Sequence, residues 1–163
     1  MKLSGGVEWA LHCCVVLTTA TEPVPAARLA LLHDVSPSYL AKQMQALSRA
    51  GLVESVQGKT GGYVLTRAAA AITVLDVVQA VDGASPAFTC TEIRRRGPLG
   101  TPPQDCTKPC PIARAMSAAD AAWRASLEGV SIADLVGSVE QDSGPEALPA
   151  IGAWLHAANS DQG

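Results

Sequence analysis

The chain has 163 residues and a mass of 16.7 kDa, the size of one ordinary domain. At 48% hydrophobic and 17% charged residues it is too apolar to be disordered. A net charge of −3 argues against a uniformly basic coat for nucleic acid. Five cysteines are too few, and odd in number, for a disulfide scaffold. No run is apolar enough for a membrane span, because Glu8 and His12 interrupt the Val7 to Ala20 stretch. That stretch also lacks a signal-peptide cleavage region, so a cytoplasmic protein with reduced thiols and no membrane partner is expected.

In chain order, Leu3, Val7, Ala10, Leu11, Cys14 and Leu17 recur at helical spacing and predict a first helix over residues 2–20. Pro25 opens a short second helix to about Leu32. Ser36 is a good N-cap and Pro37 suits a first turn, so a third helix follows, with Leu40, Met44 and Leu47 on its apolar stripe. Ser38, Tyr39, Lys42, Gln43 and Arg49 fall away from that stripe. Gly51 marks the stop. Leu52 to Val56 alternates like a strand, Gln57 to Gly62 is a turn, and Tyr63 to Leu65 returns, which together make a β-hairpin. Thr73 with Asp76 signals a capping box opening a helix that Gly83 ends.

From Ala84 to Pro111 the chain reads as a proline-rich loop, long for a compact domain and therefore a place to look for function. Ile112, Met116, Ala119, Trp123 and Leu127 then form a long amphipathic stripe. A second copy of the chain is the expected cover for it, which makes these the expected dimerisation residues. The predicted organisation is a mainly α protein. It comprises a winged helix-turn-helix DNA-binding domain (1–83), a cysteine- and proline-rich loop (84–110), a dimerisation helix (111–136) and an acidic tail (137–163). Within that tail, residues 147–157 have the composition of one more short helix.

The charge is unevenly spread. From Arg28 to Arg67 the chain carries net +3, through Arg28, Lys42, Arg49, Lys59 and Arg67 against Asp34 and Glu54. From Ser117 onward it carries net −6. A basic module therefore precedes an acidic one. Two short helices, a tight turn and a glycine-rich hairpin make a winged helix. Its third helix suits a major groove and its wing tip suits close approach to phosphate. Double-stranded DNA is the expected partner, with Arg28 in the basic module among the expected contacts.

The segments Ser36-Pro37-Ser38-Tyr39-Leu40, Leu47-Ser48-Arg49-Ala50-Gly51-Leu52-Val53 and Gly61-Gly62-Tyr63-Val64-Leu65 resemble those of the bacterial winged-helix regulators that include IscR and NsrR. Ile72-Thr73-Val74, Ala80-Val81-Asp82-Gly83 and Ser131-Ile132-Ala133-Asp134-Leu135 continue the resemblance in order, over roughly residues 1–136. The cysteine loop and the Glu8/His12 pair are most similar to those of a redox-sensing iron–sulfur member. The resemblance implies a homodimeric transcription regulator on a near-palindromic operator, a repressor, controlled by the redox state of a 2Fe-2S cluster. It transfers DNA contacts onto Ser38, Tyr39, Lys42 and Gln43 in the third helix and onto Lys59, Thr60, Gly61 and Gly62 in the wing. Gln57 stands where many relatives have an arginine, a departure that bears on minor-groove reading.

Cys90, Cys106 and Cys110 lie in or at the edge of the loop, where a thiol has no core to fill. Cys13 and Cys14 lie in the first helix and read as small hydrophobes. Thiolates suit iron–sulfur clusters and zinc, but three are one short of four ligands. Glu8 and His12 are an i, i+4 pair on one helix face. With the resemblance, the expected ligands are Cys90 and Cys110 from one subunit and Glu8 and His12 from the other. Cys106 is the spare. Fifteen residues separate Cys90 from Cys106, wider than in relatives, so a three-cysteine pattern does not transfer directly. Trp9 adjoins the Glu8/His12 pair, and Arg94-Arg95-Arg96 reads as a solvated loop face. The rival readings are a regulator sensing nitric oxide or iron supply, and a zinc-stabilised winged-helix interaction protein. No nucleophile–base arrangement or dinucleotide glycine motif points to an enzyme.

Overall fold

The computed structural model describes residues 3–58 and 61–157. Seven helices and one two-stranded sheet are found among them: α1 Gly5–Leu17, α2 Ala26–Leu32, α3 Pro37–Arg49, β1 Val53–Val56, β2 Gly62–Leu65, α4 Val74–Asp82, α5 Pro111–Glu128, α6 Ile132–Ser143 and α7 Ala147–Ala157.

The local signals act as their chemistry dictates. Ser36 caps α3 by accepting from the Tyr39 N–H at 3.3 Å, with Pro37 in the first turn. Thr73 and Asp76 close a capping box on α4, and Ser131 and Asp134 close a second on α6. The two boxes sit side by side. The Val74 N–H donates to the Val130 carbonyl and the Ile132 N–H to the Ile72 carbonyl, each at 2.8 Å. The starts of α4 and α6 are therefore stitched together although 58 residues apart. β1 and β2 pair antiparallel in the register Val53–Leu65 to Val56–Gly62. The base of this wing is fastened to the chain before α2. Tyr63 N–H donates to the Val24 carbonyl at 2.8 Å, and Val24 N–H returns a bond at 3.0 Å. A Cβ on Gly62 would collide with the Val24 backbone, so only glycine permits this seam.

A main core joins the wing and every helix except α5, which packs on a second cluster. Ala10, Cys13, Cys14, Leu29, Leu40, Met44, Leu47, Ile72, Val77 and Ile132 are buried in the main core, together with Leu148 and Leu155 of α7. Burial of whole leucine or isoleucine side chains stabilises by about 1.5–3 kcal/mol each, so α7 is a load on the fold rather than an appendage. This alters the expected acidic tail. Residues 137–143 complete α6, and α7 packs through 157, because Leu148, Ile151 and Leu155 recur on one face and meet the core. The expected dimerisation stripe also divides. Trp123 and Leu127 pack on Val7, Val74 and Val78 of their own chain, whereas Ile112, Met116 and Ala119 stay exposed.

Candidate functional site

The candidate recognition surface is built from α3. Its buried stripe turns Ser38, Tyr39 and Lys42 outward. Gln43, expected beside them as a DNA contact, is placed differently. It is 5% exposed, turned under α1 into the space that Gly6 leaves open. A Cβ on Gly6 would come within 2.6 Å of the Gln43 Oε1. The wing offers Gly61 and Gly62 at half exposure. Lys59 and Thr60, at its tip, lie outside the described residues. Arg28 projects from α2 and is engaged within the chain: its guanidinium stacks on Trp154 of α7 and donates to the Trp154 carbonyl.

The cysteine loop is ordered by its own contacts rather than by core. Two short 3-10 turns, Ile93–Arg95 and Pro103–Asp105, punctuate it. Cys110 occupies the N-cap position of α5, with Pro111 as the first helical residue. The N–H groups of Ala113 and Ile112 point at the Cys110 thiol and lower its pKa, and the nearby Arg94 guanidinium adds to the effect. Cys90 accepts from the Glu92 N–H at 3.4 Å, and its side chain makes a small further contribution to lowering the Cys110 pKa. Cys106 is half-buried, and its weak thiol contact is to the Thr101 carbonyl at 4.0 Å. Cys13 and Cys14, by contrast, are buried in α1, and burial pushes each thiol up to about 12.

Glu8 and His12 are exposed on one face of α1. They line an apolar groove of about 290 Å³ between α1 and α6, with Leu11, Val15, Leu135 and Val139 as its floor. His12 lies 5.7 Å, ring to ring, from His33, and Trp9 lies 5.9 Å from the same ring. Burial, then the neighbouring His12, lowers the His33 pKa, and its Nε2 is buried without a hydrogen-bond partner. His33 is a neighbour of the Glu8/His12 face that sequence reasoning missed, because no periodic signal links α1 to the end of α2. Among the described residues, no three of the His, Cys, Asp and Glu side chains of one chain are gathered to hold a metal ion.

This architecture defines a mainly α winged helix-turn-helix protein with a cysteine-bearing loop leading into a long helix. The chain belongs to the Rrf2 family, described as iron-dependent transcriptional regulators, whose model matches residues 3–138. It is 41% identical over 76 residues to the HTH-type transcriptional regulator IscR of Klebsiella pneumoniae (strain 342), covering 47% of each chain. It is 37% identical over 108 residues to Protein aau3 of Rhizobium meliloti (strain 1021), covering 66% of each. These alignments span about half to two thirds of the relatives' lengths. The fold is similar to that of CymR, the global cysteine regulator of B. subtilis, with a TM-score of 0.65 at 22% identity over 85% of this chain and 98% of that one.

Proposed function

We propose that the chain is a homodimeric transcription regulator, a cytoplasmic repressor, whose grip on a near-palindromic operator depends on the oxidation state of a 2Fe-2S cluster. The observation that carries this reading is the geometry of the cysteine loop: the Glu92 N–H donates to the Cys90 sulfur at 3.4 Å, and Arg94 bonds both Glu92 and the Lys108 carbonyl, two residues before Cys110 at the N-terminus of α5. A helix terminus stabilises thiolate there, and thiolate is the ligand form. Cys90 and Cys110 would hold the cluster from one subunit, and Glu8 and His12 from the other. Cys106 is the spare donor. This donor set fits: two soft thiolates, one imidazole and one carboxylate make four ligands, and the α1 pair is exposed to a partner. The family match and the resemblance to the redox-sensing member RsrR support the same assignment.

When bound, the cluster supplies a one-electron acceptor. The chain's own residues do the rest. Ser38, Tyr39 and Lys42 offer hydroxyl and cationic groups to a major groove, and Lys59, Thr60, Gly61 and Gly62 offer the wing to the backbone or minor groove. Ile112, Met116 and Ala119 are the exposed apolar stripe that a second copy covers, so that the two α3 helices meet adjacent half-sites. Donors on α1, next to the core helices that carry α3, make the reading heads responsive to how the two subunits are joined. Regulation then requires the cluster states to differ in their interaction with DNA-competent and incompetent arrangements.

The test is absorption and electron-spin spectra of anaerobically purified protein with and without dithionite, followed by operator footprinting with oxidised, reduced and cluster-free chain. Redox-dependent footprints support the reading. Equal affinity in all three states overturns it, and colourless protein with zinc and no iron replaces it with a zinc-stabilised interaction module. A footprint lost only on nitrosylation or iron depletion reassigns the signal to nitric oxide or iron supply.

A further inference from the structure

The Arg94-Arg95-Arg96 run is not a uniform solvated face. Arg94 is turned inward, with its side chain 25% exposed against 42% for Arg95. Its Nε donates to Glu92 Oε2 at 2.8 Å, and its Nη2 donates to the Lys108 carbonyl at 2.7 Å. One guanidinium therefore spans the loop from two residues after Cys90 to two residues before Cys110. Glu92 holds the left-handed backbone conformation, φ 53° and ψ 44°, costly for a residue with a Cβ. That conformation aims its N–H at the Cys90 sulfur, 3.4 Å away. The Arg94 carbonyl accepts from the Thr101 N–H at 2.8 Å and closes the intervening turn. Cys90, Glu92, Arg94, Lys108 and Cys110 are thus one connected unit.

Resting on the proposed role of Cys90 and Cys110, we infer that Arg94 is the positioning residue of the cluster loop. It clasps the two ends so that both thiols are presented together, and it places a permanent positive charge beside them. The clasp needs two donors at a fixed angle, which a guanidinium has and an ammonium lacks. The charge has a separate consequence. One-electron reduction adds one negative charge to the thiolate-held group, and Arg94 neither gains nor loses a proton. A fixed cation at that place favours the reduced form and raises the midpoint potential.

The experiment uses the full chain carrying Cys106→Ser, so that Cys90 and Cys110 are the thiols left outside the core. Phenylarsine oxide, which binds two thiols only when they are close, is titrated into the cluster-free protein. Arg94→Gln and Arg94→Lys are both expected to weaken capture about tenfold, the lower end of what loss of an outer partner costs a metal site. In cluster-loaded protein, Arg94→Gln is expected to lower the midpoint potential in a dithionite titration, and Arg94→Lys to keep it. Wild-type capture in both variants overturns the clasp. An unchanged potential in Arg94→Gln overturns the charge effect. If the parent chain takes up no cluster, the proposed function fails, and arsenical capture still decides whether Arg94 joins the two thiols.

Discussion

Arg28 of α2 lies with its guanidinium carbon 3.9 Å above the ring of Trp154 in α7, and the same guanidinium donates to the Trp154 backbone carbonyl. A cation over an indole at a partly exposed position contributes about 0.5–1 kcal/mol. The contact ties the C-terminal helix to the helix that precedes the recognition helix. His156 adds a second tie, accepting from the Thr21 N–H at 3.3 Å. Trp154→Ala and Arg28→Ala are each expected to destabilise by about 1 kcal/mol, and the double variant by less than the sum, since both remove the same contact. Urea denaturation of the four proteins checks this. Additive losses would mean that the stacking contributes nothing.

Lys42 is exposed on α3 and free to meet a phosphate. Lys42→Ala is expected to weaken binding to all duplexes alike and to reduce the slope of log affinity against log salt by about 1. Gln43→Ala, by contrast, removes a buried group next to Gly6 and is expected to act through stability. Fluorescence anisotropy over a salt series, set beside the melting temperature of each variant, separates the two effects.

The thiols divide into two reactivity classes. Cys90, Cys106 and Cys110 are half-buried, whereas Cys13 and Cys14 are buried, with pKa values pushed up to about 12. Iodoacetamide is expected to label the three loop cysteines of cluster-free native protein and to reach the α1 pair only after denaturation. Cys110 is expected to react first. Its pKa is lowered, so its labelling rate rises through a midpoint below the ordinary value of about 8.5. Mass spectrometry across pH reads both outcomes, and labelling of Cys13 in folded protein would contradict the packing of α1.

The Ser131 cap makes stability depend on acid. Hydrogen bonds from the Ser131 hydroxyl and N–H hold the Asp134 carboxyl below its usual range. The folded pKa is depressed, so the contribution of the carboxylate is complete above about 3.9 and is lost as pH falls through the lower folded value. Ser131→Ala is expected to cost about 1 kcal/mol at neutral pH, with a smaller penalty at pH 2. Chemical denaturation at the two pH values checks the sign.

Ile112 and Met116 are exposed at 65% and 41% in the first half of α5, whereas Trp123 and Leu127 further along it pack on the chain's own core. Replacing both by glutamate is expected to convert a dimer to a monomer in sedimentation while leaving the helix content unchanged. Monomeric parent protein would remove the basis for joining donors from two subunits.

Much of this molecule is determined by local chemistry. Ser36-Pro37, Thr73 with Asp76 and Cys110-Pro111 start helices wherever the chain goes, because caps and proline act within one turn. The hairpin and the helical stripes of α1 and α3 follow from period alone, as does the burial of Cys14. What depends on distant partners was beyond that reach. Gln43 belongs to the polar face of α3 by spacing, yet Gly6 of another helix gives it a buried seat. Residues 137–157 look acidic and tail-like in composition, yet Leu148 and Leu155 find a core formed by α1. Trp123 and Leu127 read as one stripe with Met116, yet the tertiary structure assigns them to Val7, Val74 and Val78. Sequence by itself determined which residues are candidates for the chemistry: the loop thiols, the α1 carboxylate and imidazole, and the basic third helix. Only the tertiary structure decided that Arg94 spans the loop from beside Cys90 to beside Cys110 and that Arg28 is held by Trp154. Each of those contacts closes a loop of chain, and which closures repay their entropy depends on every other element packed in place.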